Sequence, residues 1–259
     1  MASFWEIQRV EAPDDLLDDM ATYVSVPNTP GKLPAVIVVQ EVFGVNSNIQ
    51  SIADRLAAAG YFAVAPAMFH REGTTEGIRG TNPVYPYDDP DARAAAVANW
   101  QDDTIVLDIN TTISWLRSHP RVIGDKIGIV GFCAGGLITY LAASSCPGLA
   151  AAVDYYGGNC FRALGSGPSP FDRTARIQCP VMGNFGELDQ NPTPDDVKRI
   201  EAELQKHGKV YDFKMYPGAG HGFLCDERAS YHEPSANDAW ERTLGWFQKH
   251  LAPVAAAAS

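Results

Sequence analysis

A chain of 259 residues, 46% of them hydrophobic and 20% charged, is long enough to bury a sizeable core and suits one large α/β unit over residues 1–259 better than two small ones. The net charge of -11 excludes nucleic acid as a partner, because phosphate binding needs clustered Lys and Arg, and it speaks equally against an anionic membrane surface. Five cysteines, at 133, 146, 160, 179 and 225, with no C-x-x-C pair, fit neither a disulfide framework nor a zinc site; no metal is expected, and reduced thiols in a cytoplasmic protein are the natural reading.

The N-terminal MASFWEIQRVEAPDDLL has no basic segment followed by an apolar run, so no signal peptide is read there. No stretch approaches the roughly 18 apolar residues of a membrane span. ATYVSV (21–26) reads as an edge or antiparallel strand ending at Pro27. PAVIVVQ (34–40) is a continuous apolar run, the pattern of a strand buried on both faces. SNIQSIADRLAAAG then shows helical spacing through Ile49, Ile52 and Leu56 and stops at Gly60. YFAVAP (61–66) is the next buried strand.

Residues 67–90, rich in Gly, Pro, Thr and Asp, read as a long loop, and loops of that length in compact domains are usually functional or mobile. A helical pattern follows from about Asp91 to Ser118, with a break. KIGIVGF (126–132) is a strand, LITYLAASS (137–145) a helix and AAVDYYGG (151–158) a strand, followed by a loop to about Ile177. PVMGNFG (180–186) is a strand. PDDVKRIEAELQKHG (194–208) is a helix whose acidic start and basic end complement its dipole. VYDFKMYP (210–217) alternates as a strand, and ANDAWERTLGWFQKHL (236–251) is a closing amphipathic helix; residues 252–259 read as a frayed tail. Repeated β-then-α units imply a mostly parallel central sheet with helices on both faces, in which sites form at the carboxyl ends of strands.

The segment Gly131-Phe132-Cys133-Ala134-Gly135, between a strand and a helix, has the G-x-nucleophile-x-G pattern of a nucleophile elbow, with Cys in place of Ser. A sharp strand-to-helix turn crowds the positions two residues either side, which is why Gly131 and Gly135 stand there. The turn puts Cys133 at a helix N-terminus, where thiolate is favoured and the N–H of Ala134 can meet a developing oxyanion. The bland alternative is a Gly-rich turn holding an inert core thiol.

An acid and a histidine should follow in that order. Asp189 stands just past the strand PVMGNF, and His221 stands in PGAGHGF just past VYDFKMY. His221 would accept the Cys133 proton and later activate water, while Asp189 would orient His221. Asp226 and Glu187 are weaker alternatives for the acid. His70, His119, His207, His232 and His250 lack such a context and read as surface or satisfied core residues; Asp195 and Asp196 read as helix-start residues. In QEVFGVN, Glu41 closes an apolar strand, where a carboxylate is costly unless partnered. It reads either as a satisfied turn residue or as a group facing Cys133, with the Val42 N–H as second oxyanion donor.

Together QEVFGVN, GFCAGG, the FGELD loop and GAGHGF, in this order, resemble the dienelactone hydrolase family (carboxymethylenebutenolidases), over about Lys32 to Leu251. The resemblance implies an α/β-hydrolase fold, no cofactor, a monomer, and opening of the dienelactone ring to maleylacetate, with Cys133 as nucleophile, His221 as base and Asp189 as triad acid. It also implies that Glu41 controls thiol activation: an arginine holds Glu41 until the substrate carboxylate takes that arginine over, and the freed Glu41 deprotonates the thiol. The family's substrate carboxylate is held by arginines. One lies before the long helix, where Arg71, Arg79 and Arg93 are available and Arg93 is favoured; another lies four residues after the triad histidine, where this chain has Cys225, with Arg228 nearby but offset. Tyr155 and Tyr156 are candidates to line the pocket, or simply packing. The alternatives are a broader carboxylesterase or thioesterase on neutral esters, a non-catalytic binding protein on the same scaffold, and, ranked low, a redox thiol protein.

Overall fold

The structure, a computed structural model, describes residues 1–11, 17–71, 82–89, 91, 94, 97, 98 and 100–252. The expectations placed on Arg79, Arg93 and the tail from residue 253 onward lie outside them. The strands are β1 (Ala2–Glu11), β2 (Leu17–Val26), β3 (Leu33–Val39), β4 (Phe62–Pro66), β5 (Val122–Phe132), β6 (Ala151–Tyr155), β7 (Val181–Gly186) and β8 (Tyr211–Tyr216). The helices are α1 (Ser47–Ala58), α2 (Asp102–Ser118), α3 (Ala134–Ser145), α4 (Pro194–Lys206) and α5 (Glu233–Leu251).

All eight strands form one sheet in the order β1-β2-β4-β3-β5-β6-β7-β8. β1 pairs with β2 and β2 with β4 antiparallel, and every other pairing is parallel. Side chains alternate across the strands and separate two cores. Ala35, Ile37 and Val39 pack in one with Ile109 and Ile113 of α2, Leu141 of α3 and Ile200 of α4. Val36 and Val38 point the other way, to Ile52 and Leu56 of α1 and Trp246 and Phe247 of α5. Helices therefore cover both faces, which is why β3 and the second half of β5 read as apolar runs. Among the described residues, no helix is long and apolar enough to cross a membrane.

Several boundaries differ from the sequence reading. β1 was not anticipated: Phe4, Trp5 and Ile7 are exposed, and Gln8 is buried as a polar residue that accepts from the Thr112 hydroxyl, so no apolar alternation marks the strand. β5 begins at Val122, in a stretch (VIGDK) that looks like a turn but pairs with Leu33 across a register shift. β6 stops at Tyr155 because Tyr156 takes a left-handed φ of 44°. The break in the long helical pattern falls at Trp100 and Gln101: Val97 and Ala98 are helical, Gln101 is extended, and the Asp102 N–H donates to the Leu164 carbonyl as α2 begins. α5 starts at Glu233, with Pro234 in its first turn, where a missing N–H costs nothing.

The expected functional loop partly lies in residues 82–89, which pack on the turn after β3: the Val45 N–H donates to Asn82 Oδ1 and the Tyr85 N–H to the Phe43 carbonyl. Before it, buried Asp108 of α2 accepts two bonds from Arg71, each 2.6 Å, and lies 3.2 Å from His70 Nε2. This network anchors α2 to the chain leaving β4. Asp108→Ala leaves the Arg71 guanidinium and His70 facing a hole, and should lower the unfolding free energy by about 3 kcal/mol; an unchanged urea midpoint would show that the network carries no such load.

Candidate active site

The turn between β5 and α3 is held in strain. Cys133 has φ 57° and ψ -117°, a region that non-glycine residues enter only when their surroundings over-determine it. Its N–H donates to the Tyr155 carbonyl at 3.0 Å, and its own carbonyl accepts from Gly136 N–H at 3.0 Å and Leu137 N–H at 3.3 Å. The glycines around it are steric necessities. A Cβ on Gly131 would lie 1.9 Å from the Gly135 oxygen, and one on Gly135 would lie 2.4 Å from the Val39 oxygen. Ala134 opens α3, so its N–H is one of those with no acceptor inside the helix. Val42 lies on the turn just after β3 and, like Ala134, faces the same cavity as Cys133.

The loops after β7 and β8 are tied together. The Leu188 N–H donates to the Ala219 carbonyl at 2.9 Å, and the Gly218 N–H donates to Glu187 at 3.1 Å. Glu187 is thus a loop tie, and Asp226 is exposed. Asp189 is buried; its Oδ2 is 2.8 Å from His221 Nδ1 and its Oδ1 accepts the Asn191 N–H at 2.9 Å. A carboxylate can only accept, so the Nδ1 proton is on the imidazole; His221 and Cys133 line the same cavity, and the thiol is one of the groups that raise the His221 pKa.

Glu41 is fully buried. Its Oε1 accepts from Arg228 Nη1 at 3.2 Å, while its Oε2 and the buried Tyr156 hydroxyl have no hydrogen-bond partner among the described residues. Burial raises the Glu41 pKa, and the nearby charges of Arg228 and His221 pull it back down. Arg228 lies over the rings of Phe43 and Tyr87, 5.3 and 5.7 Å from their centres. The offset noted in sequence is closed by turns: the Cys225 N–H donates to the Gly222 carbonyl and the Arg228 N–H to the Cys225 carbonyl, which brings Arg228 back to Glu41. Cys225 itself is buried, 3.5 Å from the Tyr87 hydroxyl.

Cys133 and His221 open into a cavity of about 780 Å³ whose walls include Val42, Trp100, Leu137 and Arg162. Two of the expected substrate-binding residues are not among its lining. Arg71 is engaged by Asp108, and Tyr155 is buried in the core, its hydroxyl donating to the Ala239 carbonyl at 2.8 Å. Arg162, which sequence reading passed over, is the one Lys or Arg among the described lining residues. Only its place beyond the carboxyl end of β6 could have pointed to it. Asp154, at the end of β6, was also passed over; burial pushes its carboxyl up to about 7, against the Gly157 N–H and His221, which lower it. Of the other histidines, His70 meets Asp108, His207 meets Glu203 and His232 meets Ser235, none of them at the cavity.

The model of the dienelactone hydrolase family matches residues 20–251. The chain belongs to that family. It is 37% identical over 240 residues to a Synechocystis protein called "Putative carboxymethylenebutenolidase", covering 90% of this chain and 92% of that one. It is 30% identical over 236 residues to a Bradyrhizobium protein called "Probable 2-oxo-3-(5-oxofuran-2-ylidene)propanoate lactonase", covering 88% and 89%. Among solved structures, a "Putative Dienelactone Hydrolase" from Klebsiella pneumoniae superposes with a TM-score of 0.83 at 33% identity, covering 96% of this chain and all of that one. An acylaminoacyl peptidase of Pyrococcus horikoshii, 17% identical with a TM-score of 0.70, shares the α/β-hydrolase fold.

Family membership makes the chain a hydrolase acting on ester or lactone bonds. In this dienelactone hydrolase family member the electrostatics centre on His221. Burial alone would lower its pKa, but the bond to Asp189 and the influence of the Cys133 thiol outweigh it and raise the group to about 10. Folding therefore favours the protonated ring. That contribution is fully present below the ordinary 6.5 and is lost as pH rises towards 10. Asp189→Asn removes the main bond that raises it, so the His221 titration, followed by NMR of its ring protons, should move down by at least about one unit. An unmoved titration would remove Asp189 from that role.

Proposed function

We propose that this hydrolase opens a lactone ring through a thioester, with Cys133 as nucleophile, His221 as base and Asp189 as the group that orients the base. The observation that carries the reading is the convergence of the three: Asp189 meets His221 at 2.8 Å, and His221 lines the same cavity as a thiol held in a strained elbow. The Cys133 thiol gives its proton to Glu41, and the thiolate, beside the protonated His221 ring, attacks the carbonyl carbon. The N–H groups of Val42 and Ala134 receive the oxyanion. When the C–O bond breaks, His221 gives its proton to the leaving oxygen, which in a lactone stays tethered to the acyl group. Water then attacks the thioester, giving its proton to His221, and the thiolate leaves and takes back the proton held by Glu41. The nucleophile, base and oxyanion donors all come from the chain, so the cycle needs no cofactor.

Glu41 and Arg228 act in this reading as the resting-state lock. Arg228, lying over the Phe43 ring, holds Glu41 in place, and a substrate that disturbs the pair frees a carboxylate whose raised pKa suits it to take a proton from the thiol. The substrate best supported is a dienelactone-like molecule opened to maleylacetate; the Bradyrhizobium relative carries the name of a lactonase for a propanoate-bearing lactone. A broader carboxylesterase is the second reading, favoured by the burial of Cys225 in the position where the family carries an arginine and by the apolar walls Val42, Trp100 and Leu137. All five cysteines are unpaired, in keeping with a cytoplasmic enzyme, which we take to be monomeric.

Turnover of dienelactone beside 4-nitrophenyl acetate tests the reading. Cys133→Ala should lose at least about 1,000-fold in kcat on both, as when a nucleophile is removed from a triad. Wild-type enzyme should prefer the lactone. A preference for the neutral ester would favour the second reading, and undiminished Cys133→Ala activity would overturn the mechanism.

A further inference from the structure

Four carboxyl groups are buried among the described residues: Glu41, Asp108, Asp154 and Asp189. Glu41 meets Arg228, Asp108 meets Arg71 and Asp189 meets His221. Asp154 forms no ion pair with a Lys or Arg among the described residues. Its Oδ1 accepts the Gly157 N–H at 2.9 Å. An asparagine would accept the same bond without the cost of burying a charge. The charge therefore serves something other than the turn it closes.

The fold sets this carboxylate under the nucleophile elbow. Asp154 stands in register with Gly131 of β5 and Gly183 of β7, so neither neighbouring strand puts a side chain beside it. Gly136, in the first turn of α3, leaves it room from above: a Cβ there would lie 2.3 Å from Asp154 Oδ1. A Cβ on Gly157 would lie 2.5 Å from the same oxygen and 2.6 Å from the Leu137 nitrogen. The carboxylate is thus wedged between the exit of β6 and the N-terminal end of α3, where the helix dipole favours an anion.

From that place Asp154 reaches both members of the catalytic pair. The residues between it and Gly157 carry two of their supports. The Tyr155 carbonyl accepts the Cys133 N–H at 3.0 Å, and Tyr156, at its left-handed φ of 44°, sets its ring 5.1 Å from that of His221. The second link is charge. Burial pushes the Asp154 carboxyl up to about 7, while the Gly157 bond and the His221 charge pull it down. Cys160, on the loop after β6, and Tyr140 of α3 also face Asp154, but burial holds both of them up and so neutral. His221 is therefore the cation that Asp154 meets among the described residues. The coupling is mutual, so the Asp154 anion stabilises the His221 imidazolium.

We propose that Asp154 is a positioning residue of this hydrolase: its turn holds Tyr155 and Tyr156 against Cys133 and His221, and its negative charge, beneath the elbow, helps Asp189 keep the His221 ring protonated for the leaving oxygen. The inference rests on the reading above, in which His221 gives its proton to that oxygen. Asp154 touches no reacting atom and takes no proton in the cycle.

Two measurements test this on the intact enzyme. The first needs no turnover. The His221 ring protons are titrated by NMR in wild type and Asp154→Asn, and the Asp154 carboxyl carbon in wild type and His221→Gln. Asp154→Asn keeps the Gly157 bond and removes the charge, so His221 should titrate at least about half a unit lower. His221→Gln should raise the Asp154 titration by the same amount, since each group feels the other equally. The second follows kcat/KM for 4-nitrophenyl acetate against pH. Its alkaline limb, where the imidazolium is lost, should move down in Asp154→Asn by as much as the His221 titration does. Unmoved titrations in both variants would overturn the proposal. So would an Asp154→Asn enzyme that loses the same fraction of kcat/KM at every pH, the mark of a merely structural role. If Asp154→Asn does not fold, the Asp154 titration in His221→Gln decides alone. If the wild type cleaves no ester or lactone, the reading above fails, and the titrations still decide whether Asp154 acts on His221.

Discussion

The close approach of α3 to the ends of β3 and β5 is the constraint on which the site depends. Gly135 sits against the carbonyl of Val39, and Gly131 against the carbonyl of Gly135, at separations that leave no room for a Cβ. That contact forces Cys133 into its left-handed turn, lifts the thiol out of the sheet edge and aims the first N–H of α3 at the same space. The parallel arrangement of β3, β5, β6, β7 and β8 does the rest. Their carboxyl ends lie on one rim, so the segments bearing Glu41, Cys133, Asp189 and His221 converge there although 180 residues of sequence separate the first from the last.

Burial gives the electrostatics of this rim their character. Low polarity makes each unpartnered charge expensive and each matched pair strong. The same burial that raises Glu41 leaves it dependent on Arg228, and the same burial that would discharge His221 is overcome by Asp189 and the thiol. Neighbouring groups share these interactions: His221 lowers the pKa of both Glu41 and Asp154. Protonation changes at one group are therefore felt at the others.

Much of this could be read from the chain. The elbow is a local pattern with a local steric cause, and the apolar runs of β3 and β5 follow directly from burial on two faces. What escaped had non-local causes. β1 has no periodicity because only its second half is covered, by α2. Arg228 looked misplaced because sequence spacing does not show that two turns carry it back to Glu41. Tyr155 looked like a pocket residue because it follows a strand, but its hydroxyl finds Ala239 and Thr243 in the core. Arg162 carries no motif, and only the fold shows that it stands in the cavity wall.

The proposed mechanism requires that the thiol of Cys133 take the acyl group. Acid-quenching the enzyme during turnover of a slowly hydrolysed ester, followed by mass spectrometry of its peptides, addresses this directly. A hydroxylamine-sensitive acyl adduct is expected on the peptide that contains Cys133, absent from Cys133→Ala and accumulating in a variant that lacks His221. An acyl group found on another residue, or steady turnover with no adduct in any variant, would contradict it.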